Sequence, residues 1–186
     1  MIGAIQTSIR DLIYTHGHID ADAVDVRFAR PSRQWVEGLL LPTINLYLFN
    51  MGENPDFRNR GPQVTRNERT ATIKMPCIRV DLSFLVSTFS SALQDEQLLL
   101  WRVMAVCLHY AAMPAALLAP ELQALETTLL TKIARDAESK QIFDLWKGLD
   151  LPPRPALIYT ITVPLDVAST LETPLVLTRS TRFSRT

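Results

Sequence analysis

The stretch 157–165, Leu-Ile-Tyr-Thr-Ile-Thr-Val-Pro-Leu, constrains the fold more than any other part of the chain. Leu157, Tyr159, Ile161, Val163 and Leu165 fall on one side of an extended backbone, with Ile158, Thr160 and Thr162 on the other. A period of two held this long specifies a β-strand, and a strand this apolar needs paired neighbours and a layer packed over it. Two further stretches alternate in the same way. Ile78, Val80, Leu82 and Phe84 oppose Arg79, Asp81 and Ser83, and Val24, Val26 and Phe28 oppose Asp25 and Arg27. After Pro42, the stretch 43–49 places Ile44, Leu46 and Leu48 on one face. The pair Leu85-Val86 breaks the second alternation, so that strand is buried on both faces or bulges there.

Helical spacing fills the intervals. Ile2, Ile5, Ile9, Leu12 and Ile13 recur three and four apart, predicting an amphipathic helix over 2–16 that Gly17 ends. Residues 91–112 read as the longest helix, with Asp95, Arg102 and His109 as a narrow polar stripe and apolar packing expected on several other sides. The apolar run 103–119 is expected to break at Pro114, and His109 and Pro114 disqualify it as a membrane span. Residues 125–133 tilt toward strand through Thr127, Thr128 and Thr131. Residues 139–149 read as a short helix capped by Ser139, with Ile142, Phe143, Leu145 and Trp146 facing inward. Pro31 and Ser32 turn the chain into a short segment carrying Trp35. The order α-β-β-loop-β-α-β-α-β gives an α+β (mixed α/β) fold, a single domain with a mixed sheet flanked by helices.

Length and charge narrow the function classes. A chain of 186 residues suits one domain with a proper core. Lys plus Arg and Asp plus Glu each number 19, so no surplus of positive charge is present to displace counterions from a polyanion. Nucleic acid is therefore not an expected partner. The first residues lack a basic region and reach Arg10 and Asp11 before a long apolar run forms, so neither an export signal nor membrane insertion is expected. The two cysteines, Cys77 and Cys107, are too few for a disulfide framework, which points to a reduced, intracellular setting.

Catalytic patterns are missing from the sequence. His16-Gly17-His18, followed by Asp20 and Asp22, has no third ligand at a recognised spacing, and it suits a helix end better than a metal centre. His109, in register with Arg102, reads as a hydrogen-bonded edge residue rather than a general base. Neither a nucleophile motif nor a glycine-rich phosphate loop is present, and both cysteines have apolar neighbours that favour an inert thiol. No catalytic residue, cofactor or metal is expected.

Two segments invite partners instead. Residues 50–70 have little apolar content and carry Arg58, Arg60, Arg66 and Arg69, which reads as a long polar loop. The end of the chain carries Leu175 and Leu177, then Arg179, Arg182 and Phe183, in a β-favouring stretch able to add to an open sheet edge. Solvated loop and frayed terminus are the plain alternative, and protein–protein contact is the functional one. The implied organisation is a domain over 1–172 with the polar loop at 50–70, followed by an extended arm over 173–186.

Six motifs in order resemble one family. They are Arg30-Pro-Ser-Arg-Gln-Trp35; Pro42-Thr-Ile-Asn-Leu-Tyr-Leu-Phe-Asn50 with Glu53-Asn54; and Arg79-Val-Asp-Leu-Ser-Phe-Leu-Val-Ser87. Asp95-Glu-Gln-Leu-Leu99 through Arg102-Val103, Asp144-Leu-Trp146, and Arg154-Pro155 through Val163-Pro-Leu-Asp166 follow. Together they resemble the cap, or tail-terminator, proteins of extracellular contractile injection systems, as in the Photorhabdus virulence cassette and the antifeeding prophage. The resemblance implies a structural protein, not an enzyme, forming a homohexameric ring that closes the distal end of the inner tube and sheath. The tube protein, the sheath protein and further copies of the chain are then its partners. Assembly in the bacterial cytoplasm, within a particle that is released or anchored, follows from it too. A bacteriophage tail terminator or head–tail joining protein is a related alternative, and a small ligand-binding or hydrolytic domain an unrelated one.

Overall fold

The computed structural model describes residues 1–57, 63–66, 70–74, 78–125, 127–134, 141–165 and 170–174, with backbone alone for 63–66, 70–74 and 170–174. Its contacts divide the chain into two units, Met1–Glu53 with Val80–Val163, and Asn54–Arg79 with Pro164–Thr186.

The first unit is built on a five-stranded sheet. Its strands are β1 (Asp25–Arg27), β2 (Thr43–Glu53), β5 (Ile78–Phe89, from Val80), β6 (Leu130–Ile133) and β7 (Ala156–Leu165), in the order β1-β2-β5-β7-β6. β1 runs parallel to β2, whereas β2–β5 and β6–β7 are antiparallel, so the sheet is mixed. The side-chain contacts Ser83–Thr160 and Asp81–Thr162 climb one strand while descending the other, as antiparallel neighbours do.

Helices cover both faces. On one face, α1 (Ile2–His16) buries Ile5, Ile9, Leu12 and Ile13, and α3 (Leu93–His109) buries Leu99, Leu100, Val103, Val106 and Cys107. These pack with Ile44, Leu46, Phe84, Val86, Tyr159, Ile161 and Val163 into the main core. The opposite face presents Leu85 and Phe89 to Trp146 on α5 (Gln141–Gly148) and to Leu151, with Trp35 and Val36 of α2 (Arg33–Glu37) alongside. Ser32 caps α2 by accepting from the Trp35 amide at 3.2 Å. A short α4 (Pro120–Gln123) buries Leu122.

Leu85 and Val86 therefore lie in different cores, one on each face, and the broken alternation marks two-sided burial. The irregularity in this pair of strands falls in β2, between Leu48 and Asn50. Inside the sheet, Asn45 is fully buried because it serves as a second backbone for Ala29. Its Oδ1 accepts from the Ala29 amide and its Nδ2 donates to the Ala29 carbonyl, both at 3.0 Å. Asn45→Ala strands both groups and is expected to cost about 2–3 kcal/mol in a urea titration.

The second unit carries a three-stranded sheet, β3 (Gln63–Arg66), β4 (Thr70–Lys74) and β8 (Thr170–Pro174), antiparallel in the order β3-β4-β8. A 3₁₀ turn, Pro55–Phe57, precedes it, and Arg79 lies over the Phe57 ring at 5.7 Å.

The long polar loop expected over 50–70 is therefore corrected. β2 runs on to Glu53, and β3 and the start of β4 fall within the same stretch. Sheet pairing organises β3 and β4, and the β-favouring Val64, Thr65, Thr70, Thr72 and Ile73 suit it. Other boundaries move too. α3 stops at His109, well before Pro114, because the chain there pairs with β6: the Thr131 amide donates to the Ala111 carbonyl and the Met113 amide to the Leu129 carbonyl, both at 2.9 Å. Among the described residues of 125–133, strand is confined to the end, as β6. Ser139, the expected cap of α5, lies outside the described residues.

Candidate protein-interaction surface

The nominated contact residues mostly fall where nothing is described. Arg58, Arg60, Arg69, Leu175, Leu177, Arg179, Arg182 and Phe183 lie outside the described residues. Arg66 ends β3, in register with Ala71 of β4. Of the arm expected over 173–186, Thr173 and Pro174 are the described part, and they pair with Ala71 and Thr70 inside this chain.

The histidines settle into structural places. Gly17 caps α1 through its amide to the Ile13 carbonyl at 2.8 Å, and an added Cβ would meet that oxygen at 2.4 Å. His18 takes the left-handed turn beyond it, at φ 50°, and its carbonyl accepts from Arg102 Nη1 at 3.2 Å. The rings of His16 and His109 each lie 4.8 Å from Tyr110. Among the described residues, no three side chains of the metal-ligating types gather into a site.

Burial holds the Cys107 thiol protonated, its pKa pushed up to about 12 from 9.0. In a Cys77→Ser background, Cys107 is expected to resist a thiol reagent at pH 8 until the chain is denatured. The same shift makes stability fall as pH rises above about 9, since the unfolded thiol then releases a proton that the folded one keeps. Tyr159, donating to Met113 Sδ at 3.7 Å, has its pKa raised by burial as well.

Concave sites are shallow in chemistry. A cavity of about 540 Å³ between β2 and α5 is lined by Arg30, Tyr47, Phe49, Asn50, Asp144 and Leu145, among others. One of about 350 Å³ lies beside Leu39–Leu41, Phe89, Glu96 and Arg154. Neither Arg102 nor His109 lines them, and no nucleophile meets a base in either.

What the surface does present is apolar. Leu98, Trp101, Ala105 and Leu108 of α3 are exposed, Trp101 to 66%, and their spacing of three, four and three places them on one stripe. Leu40, at the turn into β2, is 95% exposed, and Phe143 on α5 is 69% exposed. The expectation of a long helix packed on several sides is thereby overturned, as is the inward placing of Phe143. Apolar spacing reports which residues share a side of a helix; it does not report whether a second layer covers that side. Exposed side chains of this size are the usual anchors of protein contacts.

The sheet edges complete the picture. At β6 the outer edge is taken by main chain, where Ala112 bridges Leu130. At β1 the Tyr14 hydroxyl takes that place, accepting from the Val26 amide and donating to the Val24 carbonyl, both at 3.1 Å. Edges managed in this way resist indiscriminate pairing.

Two solved structures share this architecture. An extracellular contractile injection system's PVC sheath/tube terminator, in the extended state, is 14% identical with a TM-score of 0.67, covering 100% of this chain and 64% of that one. The anti-feeding prophage cap, described as the AFP tube terminating cap, is 17% identical with a TM-score of 0.64, covering 96% of this chain and 60% of that one. The chain thus spans less than two thirds of either solved chain. No curated protein sequence matches it. The model of one family, described as the Pvc16 N-terminal domain, matches residues 4–178, and the chain belongs to that family.

Proposed function

We propose that this chain is a structural, non-enzymatic terminator that closes the distal end of the inner tube and sheath of a phage-tail-like contractile injection system, as a sixfold ring. The observation that carries the reading is the family match over residues 4–178. Its fold likeness to a sheath/tube terminator and a tube terminating cap supports the same role. The exposed apolar stripe on α3 and the absence of net charge favour association over repulsion. Among the described residues, no helix is long and apolar enough to cross a membrane.

In this reading residues 1–172 form the terminator body and residues 173–186 an arm. Arg58, Arg60, Arg66 and Arg69 contact the tube end or an adjacent copy. Leu175, Leu177, Arg179, Arg182 and Phe183 contact the sheath. A ring needs one face of each copy to match a different face of the next. Assembly takes place in the cytoplasm, within a particle that is released or anchored.

Purified tube protein, allowed to polymerise with and without the chain, tests this. Sub-stoichiometric chain is expected to stop elongation and leave short tubes; tubes of unchanged length overturn the reading.

A further inference from the structure

The groove beside β1 has the geometry of a site for an added strand. Gln6, Arg10 and Tyr14, spaced four apart on α1, form one wall. Asp25, Val26 and Arg27 of β1 form the floor, and Phe28, Ala29 and Trp35 complete a cavity of about 640 Å³.

β1 is the edge strand, and its backbone sets what can bind there. The Asp25 amide points inward, donating to the Pro42 carbonyl at 2.9 Å. Successive residues of a strand alternate in the side to which their backbone groups point, so Val26 turns its N–H and C=O outward, into the groove. The Tyr14 hydroxyl meets the Val26 N–H and the Val24 carbonyl at 3.1 Å each. One phenol therefore occupies the two backbone groups that an added strand would use. A side chain can swing away by rotation about its χ angles. The opposite edge differs, because at β6 the covering groups are main chain tied on between α3 and α4.

The walls select the partner's charge. Arg27 is matched inside the groove by Asp25, whose Oδ2 lies 2.7 Å from Nη2 and 2.9 Å from Nε. Arg10 lies over the Phe28 ring at 5.5 Å, leaving the lining one positive charge in excess. A carboxylate on the incoming segment answers it, and the Phe28 and Trp35 rings offer apolar contact to alternate side chains.

We propose that this groove receives an extended acidic segment of a partner protein, which adds as a strand to the outer edge of β1 and takes over the backbone groups held by Tyr14. The Tyr14 hydroxyl is then a removable plug, keeping the edge satisfied until that partner arrives.

The test uses the whole chain and an acetylated, amidated peptide of alternating valine and glutamate, with its valine–lysine counterpart as control. Amide NMR shifts of Val26 and Arg27 report binding up to about 1 mM, the weak end of useful affinity. The glutamate peptide is expected to shift both amides and to slow exchange at Val26. Tyr14→Phe, which removes the plug, is expected to tighten binding about tenfold, and Arg10→Glu to weaken it about tenfold. Should Tyr14→Phe fail to fold, the native chain against Arg10→Glu, at an exposed position, decides alone. Unshifted Val26 with the glutamate peptide, equal binding of the lysine peptide, or indifference to Arg10→Glu each overturns the proposal. The outcome is separable from tube closure, since a chain that fails to stop a tube can still bind the peptide.

Discussion

Trp146→Ala is expected to destabilise the chain by about 3–5 kcal/mol, the range for deleting a large buried aromatic. Trp146 is fully buried and, with Leu85, Phe89 and Leu151, makes the smaller of the two cores. It is also the one residue that α5 buries completely. Without the indole, this eight-residue helix keeps only half-buried Ile142 and Leu145 to hold it to the sheet. A helix this short does not persist without packing, so α5 should lose its amide protection together with the fall in stability. For a chain of this length the loss corresponds to a melting point lower by about 10 °C. Trp101→Ala is the internal control. Its side chain is 66% exposed, and removing it should change stability by no more than about 0.5 kcal/mol. Two tryptophans on two helices thus separate cleanly in a denaturant titration, one acting within the fold and the other on its surface.

The second large effect falls on Arg154. Its Nη1 meets Glu96 Oε1 at 2.6 Å, with both side chains largely withdrawn from solvent. The same guanidinium lies 4.4 Å from the Phe89 ring centre and 5.9 Å from that of Trp146. Thr88 donates to the Glu96 carbonyl at 2.8 Å, so the start of α3, the end of β5 and the approach to β7 meet at this pair. Arg154→Ala leaves the Glu96 carboxylate little exposed and without its cation, and removes the stacked surface over Phe89. The expected cost is about 2–4 kcal/mol, below the full figure for a completely buried pair because some solvent reaches both groups. Glu96→Gln combined with Arg154→Met should recover part of it, since neither new side chain leaves a buried charge. Urea titrations of Glu96→Gln, Arg154→Met and the double variant measure this coupling directly. A double variant as unstable as the sum of the singles would show that the pair is not coupled.

The strands with strict alternation were legible because burial on one face and period two are the same fact written twice. β7 alternates even though both of its faces are buried: Tyr159, Ile161 and Val163 enter the main core, while Thr160 and Thr162, buried as well, meet Ser83 and Asp81. α1 was legible for the helical version of that reason. β3 and β4 were not, since short β-favouring stretches between arginines, asparagines, glycines and prolines look like a loop until a pairing partner is known. The end of α3 was misplaced because Ala111–Met113 would continue a helix by composition, while β6 offers them main-chain partners that only the tertiary fold supplies. The surface suffered most. Leu98, Trp101, Leu108 and Phe143 carry the same letters as core residues, so sequence alone packed α3 on several sides and turned Phe143 inward, whereas all four are exposed. Tyr14 shows the reverse: nothing in its local pattern announces a hydroxyl that closes a strand edge ten and twelve residues away.

The terminator role is decided by cryo-electron microscopy of particles assembled from tube protein, sheath protein and tagged chain. The chain is expected as a single ring at one end of every completed tube, with tube and sheath both stopping there. Chain distributed along the particle, or completed ends without it, would overturn that role.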